Sequence, residues 1–405
     1  MLRPFAVFAA QGDEGESAIV AAPPMSSRSI PLSLPDITVE ERRLVDDVLR
    51  SGQLAGGPVL AAFEREFAAY CGARHAIGMS SGTAALHVAM IAAGVGEGDQ
   101  VITSPFSFIA SANSILFERG TPIFVDIDPA TLTIDPQATV EAIETLAPRG
   151  RLRAVLPVHI FGRPAEMEAI VSAARRHGVA VLEDACEAVG ASSDGVLAGR
   201  WGDAAAFGFY PNKQMTTAEG GVLLTDRDDW ARLARSLRNQ GRSQDGPWLH
   251  ERLGFNYRLS DVCAAIGLGQ LRRLDDLLAM RAAVAARYDA LFRDIAGVTP
   301  LARPRDGMRL SWFVYVVRLD AEIDRDRLMT ALASRGIDSR AYFPPIHLQP
   351  FYRQRFGFRP GSFPHAEAAG QSLLALPFHG NLSADEVGYV CAAVAEEVGS
   401  LTVAK

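Results

Sequence analysis

The sequence predicts an α/β fold with a mostly parallel central sheet, helices on both faces of that sheet, and a smaller C-terminal α/β domain. The main observation is that short apolar runs alternate with helix-like segments in the first part of the chain. The runs occupy residues 76–79, 100–103, 122–125, 154–158 and 179–182. Runs that are apolar on both faces and separated by helices are typical of parallel strands covered on both sides.

The length and composition are those of an ordinary globular protein with two domains. At 405 residues the chain is too long for one small core. It is 48% apolar and 21% charged, and its net charge of -7 is spread along the sequence. This pattern gives no reason to expect a nucleic acid or a membrane surface as a partner. We expect a large domain over 31–255, then a long linking helix and a small domain over 256–405.

The N-terminal residues have only the outline of a secretory signal. An apolar run over 4–10 follows Arg3, but polar residues at 11–14 end it, which leaves it at the bottom of the useful length of about 7–15 residues. We expect residues 1–30 to form a disordered extension, with Met25 as an alternative start. No stretch reaches the roughly 20 apolar residues of a membrane span.

The four cysteines are far apart in the sequence. Cys71, Cys186, Cys263 and Cys391 show neither disulfide pairing nor metal-ligand spacing. Free thiols are typical of a reducing compartment. We therefore expect free cysteines, no metal site and a cytoplasmic location.

Several helix boundaries can be predicted from local signals. Thr38 and Glu41 have the spacing of a capping box, and the helix that they begin is predicted to end at Gly52. Leucines and alanines at helical spacing over 259–292 predict one long helical stretch. In the small domain we predict a strand over 312–319, a helix over 325–334 and a last helix from a capping box at Ser383.

The residues that follow each apolar run matter most for function, because ligands bind at the carboxyl ends of the strands in such sheets. Ser81, Gly82, Thr83 and Ala84 follow the first run and begin a helix. Glycine permits close approach of a ligand, and the free amides of a helix start favour a phosphate. The alternative interpretation is a simple helix cap.

Two further strand ends carry residues of chemical interest. Phe108 follows the second run, where an aromatic ring either stacks on a flat ligand or packs into the core. Asp184 follows the last run, and a carboxylate there needs a cation or several hydrogen-bond donors. Asp184 is therefore either the partner of a protonated ring nitrogen or a helix cap.

Lys213 lies between the aromatic run 207–210 and the glycine pair at 220–221. A partly buried amine is less well solvated when charged, which favours the neutral form that attacks a carbonyl. The alternative is a surface lysine in a turn. Together with a phosphate site, a stacking ring and a ring-nitrogen partner, a reactive lysine is what pyridoxal-phosphate chemistry needs.

These residues belong to longer motifs. The motifs are Ser81-Gly82-Thr83-Ala84-Ala85-Leu86, Phe108-Ile109-Ala110, Pro157-Val158-His159-Ile160-Phe161-Gly162, Glu183-Asp184-Ala185-Cys186, the segment 213–221 and Gly254-Phe255-Asn256-Tyr257-Arg258. With these motifs in this order along the sequence, the chain resembles the fold-type I pyridoxal-phosphate enzymes from about residue 31 to residue 377. Among these enzymes it is most similar to the DegT/DnrJ/EryC1/StrS family of sugar aminotransferases.

The resemblance implies pyridoxal 5'-phosphate as the cofactor, with pyridoxamine 5'-phosphate formed between two half-reactions. It implies that Lys213 holds the cofactor covalently and moves a proton. It also implies that Asp184 pairs with the ring nitrogen and that Phe108 stacks on the ring. The phosphate is expected on the backbone of Gly82, Thr83 and Ala84.

The resemblance further implies a homodimer with shared active sites. Asn256 is expected to reach the phosphate bound by the neighbouring subunit. Arg258 and His347 are expected to contact the substrate. We expect sugar contacts in the loop over 342–356, which is rich in proline and aromatic residues.

Two positions depart from the family pattern. Glu187 stands where the family usually has Gln or His, and an acid near the phenolic oxygen of the ring would repel its charge unless it were protonated or turned away. Gly208 stands where a serine often donates to the phosphate. Asn212 and Gln214 are the candidates to replace that donor.

The activity that the resemblance implies is transfer of an amino group from glutamate to a nucleotide-linked keto sugar, for a surface polysaccharide or a glycosylated natural product. The alternatives are a cyclitol substrate and a non-catalytic regulatory protein with the same fold. The presence of Lys213 favours transamination over cofactor-assisted dehydration, because dehydratase relatives lack that lysine.

Overall fold

The computed structural model of the protein describes residues 29–403, except for residues 244, 245 and 247. The strands are β1 (His75–Met79), β2 (Gln100–Thr103), β3 (Thr121–Phe124), β4 (Leu152–Leu156), β5 (Ala180–Asp184), β6 (Ser192–Ser193), β7 (Val196–Leu197), β8 (Ala204–Gly208), β9 (Gly221–Thr225), β10 (Val298–Pro300), β11 (Met308–Arg309), β12 (Tyr315–Leu319) and β13 (Leu373–Leu376). The helices are α1 (Val39–Ser51), α2 (Pro58–Cys71), α3 (Gly82–Ala92), α4 (Ala110–Phe117), α5 (Pro136–Leu146), α6 (Met167–Arg176), α7 (Asp228–Arg238), α8 (Asp261–Arg272), α9 (Leu274–Phe292), α10 (Arg325–Ser334), α11 (Pro350–Phe356), α12 (Pro364–Ser372) and α13 (Ala384–Val403).

The predicted α/β fold with a mostly parallel central sheet is confirmed. The large sheet has the strand order β1-β9-β8-β5-β4-β2-β3. β9 is antiparallel to both of its neighbours, and all other neighbouring strands are parallel. Because β9 reverses between β1 and β8, those two strands run in the same direction as the parallel ones. The carboxyl ends of β1, β2, β5 and β8 therefore meet at one edge of the sheet.

The strands β8 and β9 are not among the apolar runs predicted from the sequence. β8 reads Ala-Ala-Ala-Phe-Gly and contains no β-branched residue, so its own strand propensity is low. It is a strand because β5 and β9 pair with it on either side. The loop between β8 and β9 carries Lys213, and its ends are joined where the Phe209 N–H donates to Gly220 O at 2.9 Å. The antiparallel pair thus fixes both ends of the lysine loop.

The capping boxes predicted at two helix starts are confirmed. Both hydrogen bonds of the box at Thr38 and Glu41 are present, and α1 ends at Gly52 with φ 70°. At the start of α13, the Ser383 N–H donates to Glu386 Oε2 at 2.8 Å. The Glu386 N–H donates back to Ser383 Oγ at 3.2 Å.

The single helical stretch predicted over 259–292 is wrong in one respect, because it is two helices, α8 and α9. Helical geometry breaks at Arg273, which has φ -121° and ψ 22°. Its guanidinium donates to Asp36 Oδ2 at 2.8 Å and to Glu41 Oε1 at 2.9 Å. The break is therefore tied to the segment that begins α1, a contact that helical periodicity does not reveal.

The C-terminal part of the chain forms a second sheet, in which β12 lies between β10 and β13 and is antiparallel to both. Tyr288 of α9 and Tyr315 of β12 stack in its core, with ring centroids 4.6 Å apart. The helix predicted over 325–334 is confirmed as α10. The strand predicted from residue 312 begins at Tyr315 instead, because Trp312 has a left-handed backbone with φ 52°.

The predicted N-terminal extension over 1–30 is only partly testable, since residues 1–28 lie outside the described residues. Its boundary needs correction at Ile30, which is fully buried in the core of the C-terminal unit. The Ile30 N–H donates to Gly336 O at 2.8 Å, and Ile30 pairs with Ile337 as a parallel bridge. The ordered chain therefore begins before residue 31.

All four cysteines are free thiols, as expected from their spacing. Cys71 and Cys391 are buried, whereas Cys186 and Cys263 are partly buried. Across residues 29–403, apart from the three that are not described, no helix is long and apolar enough to cross a membrane.

Candidate active site

A pocket of about 620 Å³ opens at the edge where the carboxyl ends of the strands meet. Small-molecule sites typically have volumes of about 300–1,000 Å³. Parts of the segments 107–111, 184–187, 208–213 and 341–349 line the pocket, together with the start of α3. The predicted site residues in its lining are Gly82, Thr83, Phe108, Asp184, Glu187 and Lys213. The fold thus brings together side chains that are up to 131 positions apart in the sequence.

Lys213 presents its amine to this pocket. Its Nζ lies 3.8 Å from the centroid of the Phe313 ring and 3.5 Å from Glu187 Oε1. Only 14% of the side chain is exposed. The backbone N–H donates to Tyr210 O at 2.9 Å, which closes the turn that carries the lysine. Lys213 is therefore not an exposed turn lysine, and its amine is held between an aromatic face and a carboxyl group.

Asp184 is the last residue of β5, and its buried carboxylate has two donors. Ser111 Oγ donates to Asp184 Oδ2 at 2.6 Å, and the Cys186 N–H donates to Oδ1 at 3.2 Å. Ser111 in turn lies 2.7 Å from Ser107 Oγ, and both serines line the pocket. Ser111 was not predicted from the sequence as a site residue. Its position three residues after Phe108, at the start of a helix, was the available signal.

Glu187 is a buried acid beside the lysine. The Phe161 N–H donates to Glu187 Oε2 at 2.9 Å. Burial raises the pKa of the Glu187 carboxyl, and this effect outweighs the opposing influence of Lys213. The raised pKa makes the protonated form, which can donate a hydrogen bond, more accessible than for an exposed glutamate. The sequence required this acid to be either protonated or turned away from the ring. Its buried surroundings favour the protonated form.

The start of α3 serves both as a capped helix end and as a candidate anion site. The Ala84 N–H, one of the predicted phosphate donors, donates to Ser81 Oγ at 3.1 Å and is therefore already used by the cap. The amides of Gly82 and Thr83, in the first turn, have no partner within the helix. A Cβ on Gly82 would lie 2.8 Å from Cys186 Sγ, so only glycine fits there. The free amides and the open approach favour binding of a phosphate.

The neighbourhood of Gly208 has room for the serine that the family resemblance leads us to expect there. A Cβ built on Gly208 would be no closer than 3.5 Å to another atom, which is ordinary contact. Gln214 is not free to replace that serine, because its Nε2 donates to Glu187 O at 2.5 Å and to Ser311 Oγ at 2.8 Å. Asn212 lines the pocket, and its Oδ1 is buried without a hydrogen-bond partner in the described structure. Since an amide oxygen only accepts hydrogen bonds, the Nδ2 of Asn212 is the group that could replace the serine as a phosphate donor.

Phe108 has the exposure of a ligand contact rather than of a core residue. It is 59% exposed and lines the pocket, whereas Phe106, two residues earlier, is 1% exposed. Of the two roles that the sequence left open, Phe108 therefore has the exposed position of a ligand contact, and Phe106 packs into the core. A flat ring in the pocket would find the uncovered face of Phe108.

Four predicted residues do not line the pocket of their own chain, namely Ala84, Asn256, Arg258 and His347. Asn256 is exposed, and the Arg258 guanidinium donates to Asn239 Oδ1 at 3.0 Å. His347 is fully buried, and its Nε2 lies 2.9 Å from Glu367 Oε1. A substrate contact by His347 has no support in this geometry, because a neighbouring acid already pairs with its ring.

The loop over 342–356 was predicted to contact the sugar, and its first half does line the pocket. Tyr342, Phe343, Pro344 and Ile346 present mainly apolar surface there, and Gln349 adds an amide. Burial raises the pKa of Tyr342. The phenol therefore stays protonated and can serve as a hydrogen-bond donor.

The pocket fits pyridoxal 5'-phosphate in its chemistry. It combines an anion site at a helix start, an uncovered aromatic face, a buried carboxylate and a lysine amine in one lining. The profile of the DegT/DnrJ/EryC1/StrS aminotransferase family matches residues 35–395. The chain belongs to this family.

Relatives of known name agree with the family assignment. The spore coat polysaccharide biosynthesis protein SpsC of Bacillus subtilis (strain 168) is 40% identical over 384 residues, which cover 91% of this chain and 97% of the relative. GDP-perosamine synthase of Caulobacter vibrioides is 38% identical over 369 residues, which cover 90% of this chain and 97% of the relative.

A solved structure extends the agreement to the fold. The crystal structure of DesV from S. venezuelae superposes with a TM-score of 0.85 at 34% identity and covers 92% of this chain and 99% of its own. The predicted fold-type I architecture is therefore confirmed. The chain is an aminotransferase of a family that depends on pyridoxal phosphate, and its relatives act in amino-sugar and polysaccharide biosynthesis.

Proposed function

We propose that this aminotransferase uses pyridoxal 5'-phosphate to move an amino group from glutamate to a nucleotide-linked keto sugar. The observation that carries the proposal is the placement of Lys213 Nζ in one pocket with Asp184. The name of the relative GDP-perosamine synthase supports a nucleotide-linked sugar as the acceptor.

The chain offers a contact for each part of the cofactor. The amides of Gly82 and Thr83 would bind its phosphate, the face of Phe108 would cover its ring, and Asp184 would pair with the ring nitrogen. Ser111 keeps Asp184 in place through its 2.6 Å hydrogen bond. When bound, the cofactor supplies an electron sink for negative charge at the carbon that loses its proton.

Lys213 is the proton carrier in this proposal. Lys213 would hold the cofactor covalently, and its amine, when free, would move a proton between the donor carbon and the cofactor. A side chain positioned to transfer a proton typically increases the reaction rate by a factor of about 10²–10⁴. Glu187, in its protonated form, would donate to the phenolic oxygen of the ring and leave Lys213 free to move.

The substrate side of the site requires a second copy of the chain. Asn256 and Arg258 lie outside the pocket of their own chain, so we assign them to the pocket of the partner in a homodimer. The guanidinium of Arg258 would bind a carboxylate or phosphate of the substrate through paired donors. The apolar surface of the segment 342–346 would face the sugar.

The first test uses the fact that the chain has only two lysines, Lys213 and Lys405. The purified protein should show the absorbance of a lysine-bound cofactor, and glutamate should convert it to the pyridoxamine form. Borohydride reduction should fix the cofactor on the peptide that contains Lys213. The matched control is Lys405→Ala, which should behave like the wild type.

The second test is a panel of acceptors with glutamate as donor. UDP-, dTDP- and GDP-linked keto sugars and a keto-inositol are compared by the amino product that each one forms. A nucleotide sugar should give the highest kcat/KM. Preference for the keto-inositol would contradict the proposed substrate, and turnover by Lys213→Ala would contradict the mechanism.

A further inference from the structure

Arg281 of α9 is a buried cation whose three described hydrogen bonds all go to backbone carbonyls. It is 5% exposed. One terminal nitrogen donates to Lys213 O at 2.8 Å. The other donates to Trp312 O and to Phe313 O, both at 3.2 Å. Within the described part of the chain, no carboxylate lies within ion-pair distance of this guanidinium.

A buried charge without a counter-charge is unfavourable for the fold. Desolvation of such a group costs free energy, and a pair or several hydrogen bonds must offset it. Burial lowers the pKa of Arg281 to about 10, so the guanidinium still carries its charge at neutral pH. Charge-assisted bonds to three carbonyls are the compensation that the structure provides.

The three carbonyls all belong to the immediate surroundings of the reactive amine. One is the carbonyl of Lys213 itself. The other two flank Phe313, whose ring centroid lies 3.8 Å from Lys213 Nζ. Arg281 therefore joins the lysine loop of the large sheet to the segment that leads into the C-terminal sheet, at the point where the amine and the ring meet.

We propose that Arg281 is a positioning residue for Lys213, which holds the backbone of the lysine and the Phe313 ring in one arrangement so that Nζ points into the pocket. The planar guanidinium is suited to this role because its donors diverge in fixed directions. A lysine at position 281 would keep the charge but could not serve three carbonyls in the same geometry. The inference rests on the proposed function, in which Lys213 is the reactive amine.

The matched control is Arg163, a second buried arginine. It is 6% exposed, its guanidinium donates to the carbonyl of Ala302, and burial lowers its pKa as it does for Arg281. It makes no contact with Lys213 among the bonds described. Arg281→Met and Arg163→Met both remove a buried guanidinium, but only the first removes a contact to the lysine.

The first measurement needs no cofactor and no activity. The full chain without cofactor is treated with acetic anhydride, and acetylation of Lys213 relative to Lys405 is followed by peptide mass spectrometry. Arg281→Met should raise the relative rate at Lys213 by about threefold or more, because loss of about three charge-assisted hydrogen bonds frees the loop. Arg281→Lys should give a smaller rise, and Arg163→Met none.

The second measurement is made on the reconstituted enzyme. Arg281→Met should lower kcat by about 10–100-fold with little change in KM for glutamate, since displacement of a reacting group by about 1 Å can reduce rates to that extent. Arg281→Lys should recover part of kcat. If Arg281→Met does not fold, the comparison of Arg281→Lys with Arg163→Lys decides the question.

The outcomes separate this inference from the proposed function. Equal acetylation and equal kcat in Arg281→Met and Arg163→Met would overturn the role of Arg281, even if transamination is confirmed. Faster acetylation of Lys213 in Arg281→Met alone would support that role even if no acceptor sugar is found, and slower acetylation would contradict it. A wild-type protein that fails to bind the cofactor would contradict only the proposed function.

Discussion

The two sides of the candidate site are built in different ways. On the side formed by the strand ends, Asp184 is buried and Lys213 is largely enclosed, and their hydrogen bonds are made within one chain. The side assigned to Asn256 and Arg258 is partly or fully exposed and does not line the pocket of its own chain. In the proposed homodimer, the groups whose protonation matters are enclosed within one chain, whereas groups that only hold the ligand from outside would come from the second copy.

The largest effect is expected on the enclosed side, at Asp184. Asp184→Asn removes the charge that would keep the ring nitrogen protonated, and kcat should fall by about 10²–10⁴, the range typical of a positioned catalytic group. Ser111→Ala leaves the carboxylate in place and removes one charge-assisted hydrogen bond of about 1.5–3 kcal/mol, so kcat should fall by about 10–150-fold, less than in Asp184→Asn. Steady-state kinetics with glutamate measures both. A smaller loss in Asp184→Asn than in Ser111→Ala would contradict this ranking.

The other side of the comparison is tested by mixing subunits. Lys213→Ala and Asn256→Ala should each be inactive alone. If the sites are shared across a symmetric dimer, equal mixing should restore about one quarter of wild-type activity, because half of the dimers are mixed and each has one intact site. Native mass spectrometry confirms that mixed dimers form. No recovery in their presence would place both residues in one chain's site.

The next test asks whether the buried carboxyl of Glu187, on the enclosed side, carries a proton. Burial raises the pKa of Glu187 above its ordinary value of 4.5. The unfolded chain therefore loses this proton at lower pH than the folded protein, and stability should fall as the pH rises from about 4 through the folded pKa. Glu187→Gln lacks that dependence, so its Tm should rise relative to wild type over this range. Parallel Tm curves from pH 4 to pH 8 would show that the folded carboxyl titrates normally.

The smallest effect is expected at Gly208. A serine fits, since the nearest contacts of its Cβ are 3.5 Å away. Its hydroxyl should add one phosphate hydrogen bond, worth about 0.5–1.5 kcal/mol, or roughly a two- to tenfold tighter cofactor Kd. Titration of the cofactor absorbance measures the change. Gly82→Ala is the opposing control, because its Cβ would lie 2.8 Å from Cys186 Sγ and should weaken binding.

Much of the site could be predicted from the sequence because its chemistry is carried by contiguous motifs. Gly82, Phe108 and Asp184 each follow an apolar run, and parallel strands bring such positions to one edge of a sheet. The capping boxes at Thr38 and Ser383 were predictable for the same reason, since their partners lie three residues away.

Other features of the site depend on residues that are distant in the sequence. Ser111 bonds to Asp184 across 73 positions, and Arg281 bonds to Lys213 across 68. No local pattern marks either contact. The room for a Cβ at Gly208 and the lack of a partner for Asn212 Oδ1 likewise depend on how the described chain packs, and no sequence pattern reveals them.

The sequence by itself determined the α/β class, the positions of the strand-end motifs and the family, because periodicity and motif spacing act over a few residues. Tertiary structure alone decided that β9 reverses within the sheet, that the helix over 259–292 breaks at Arg273, and that burial favours a proton on Glu187. Each of these is set by strand partners, distant ion pairs or desolvation. Those forces arise only once the chain is packed.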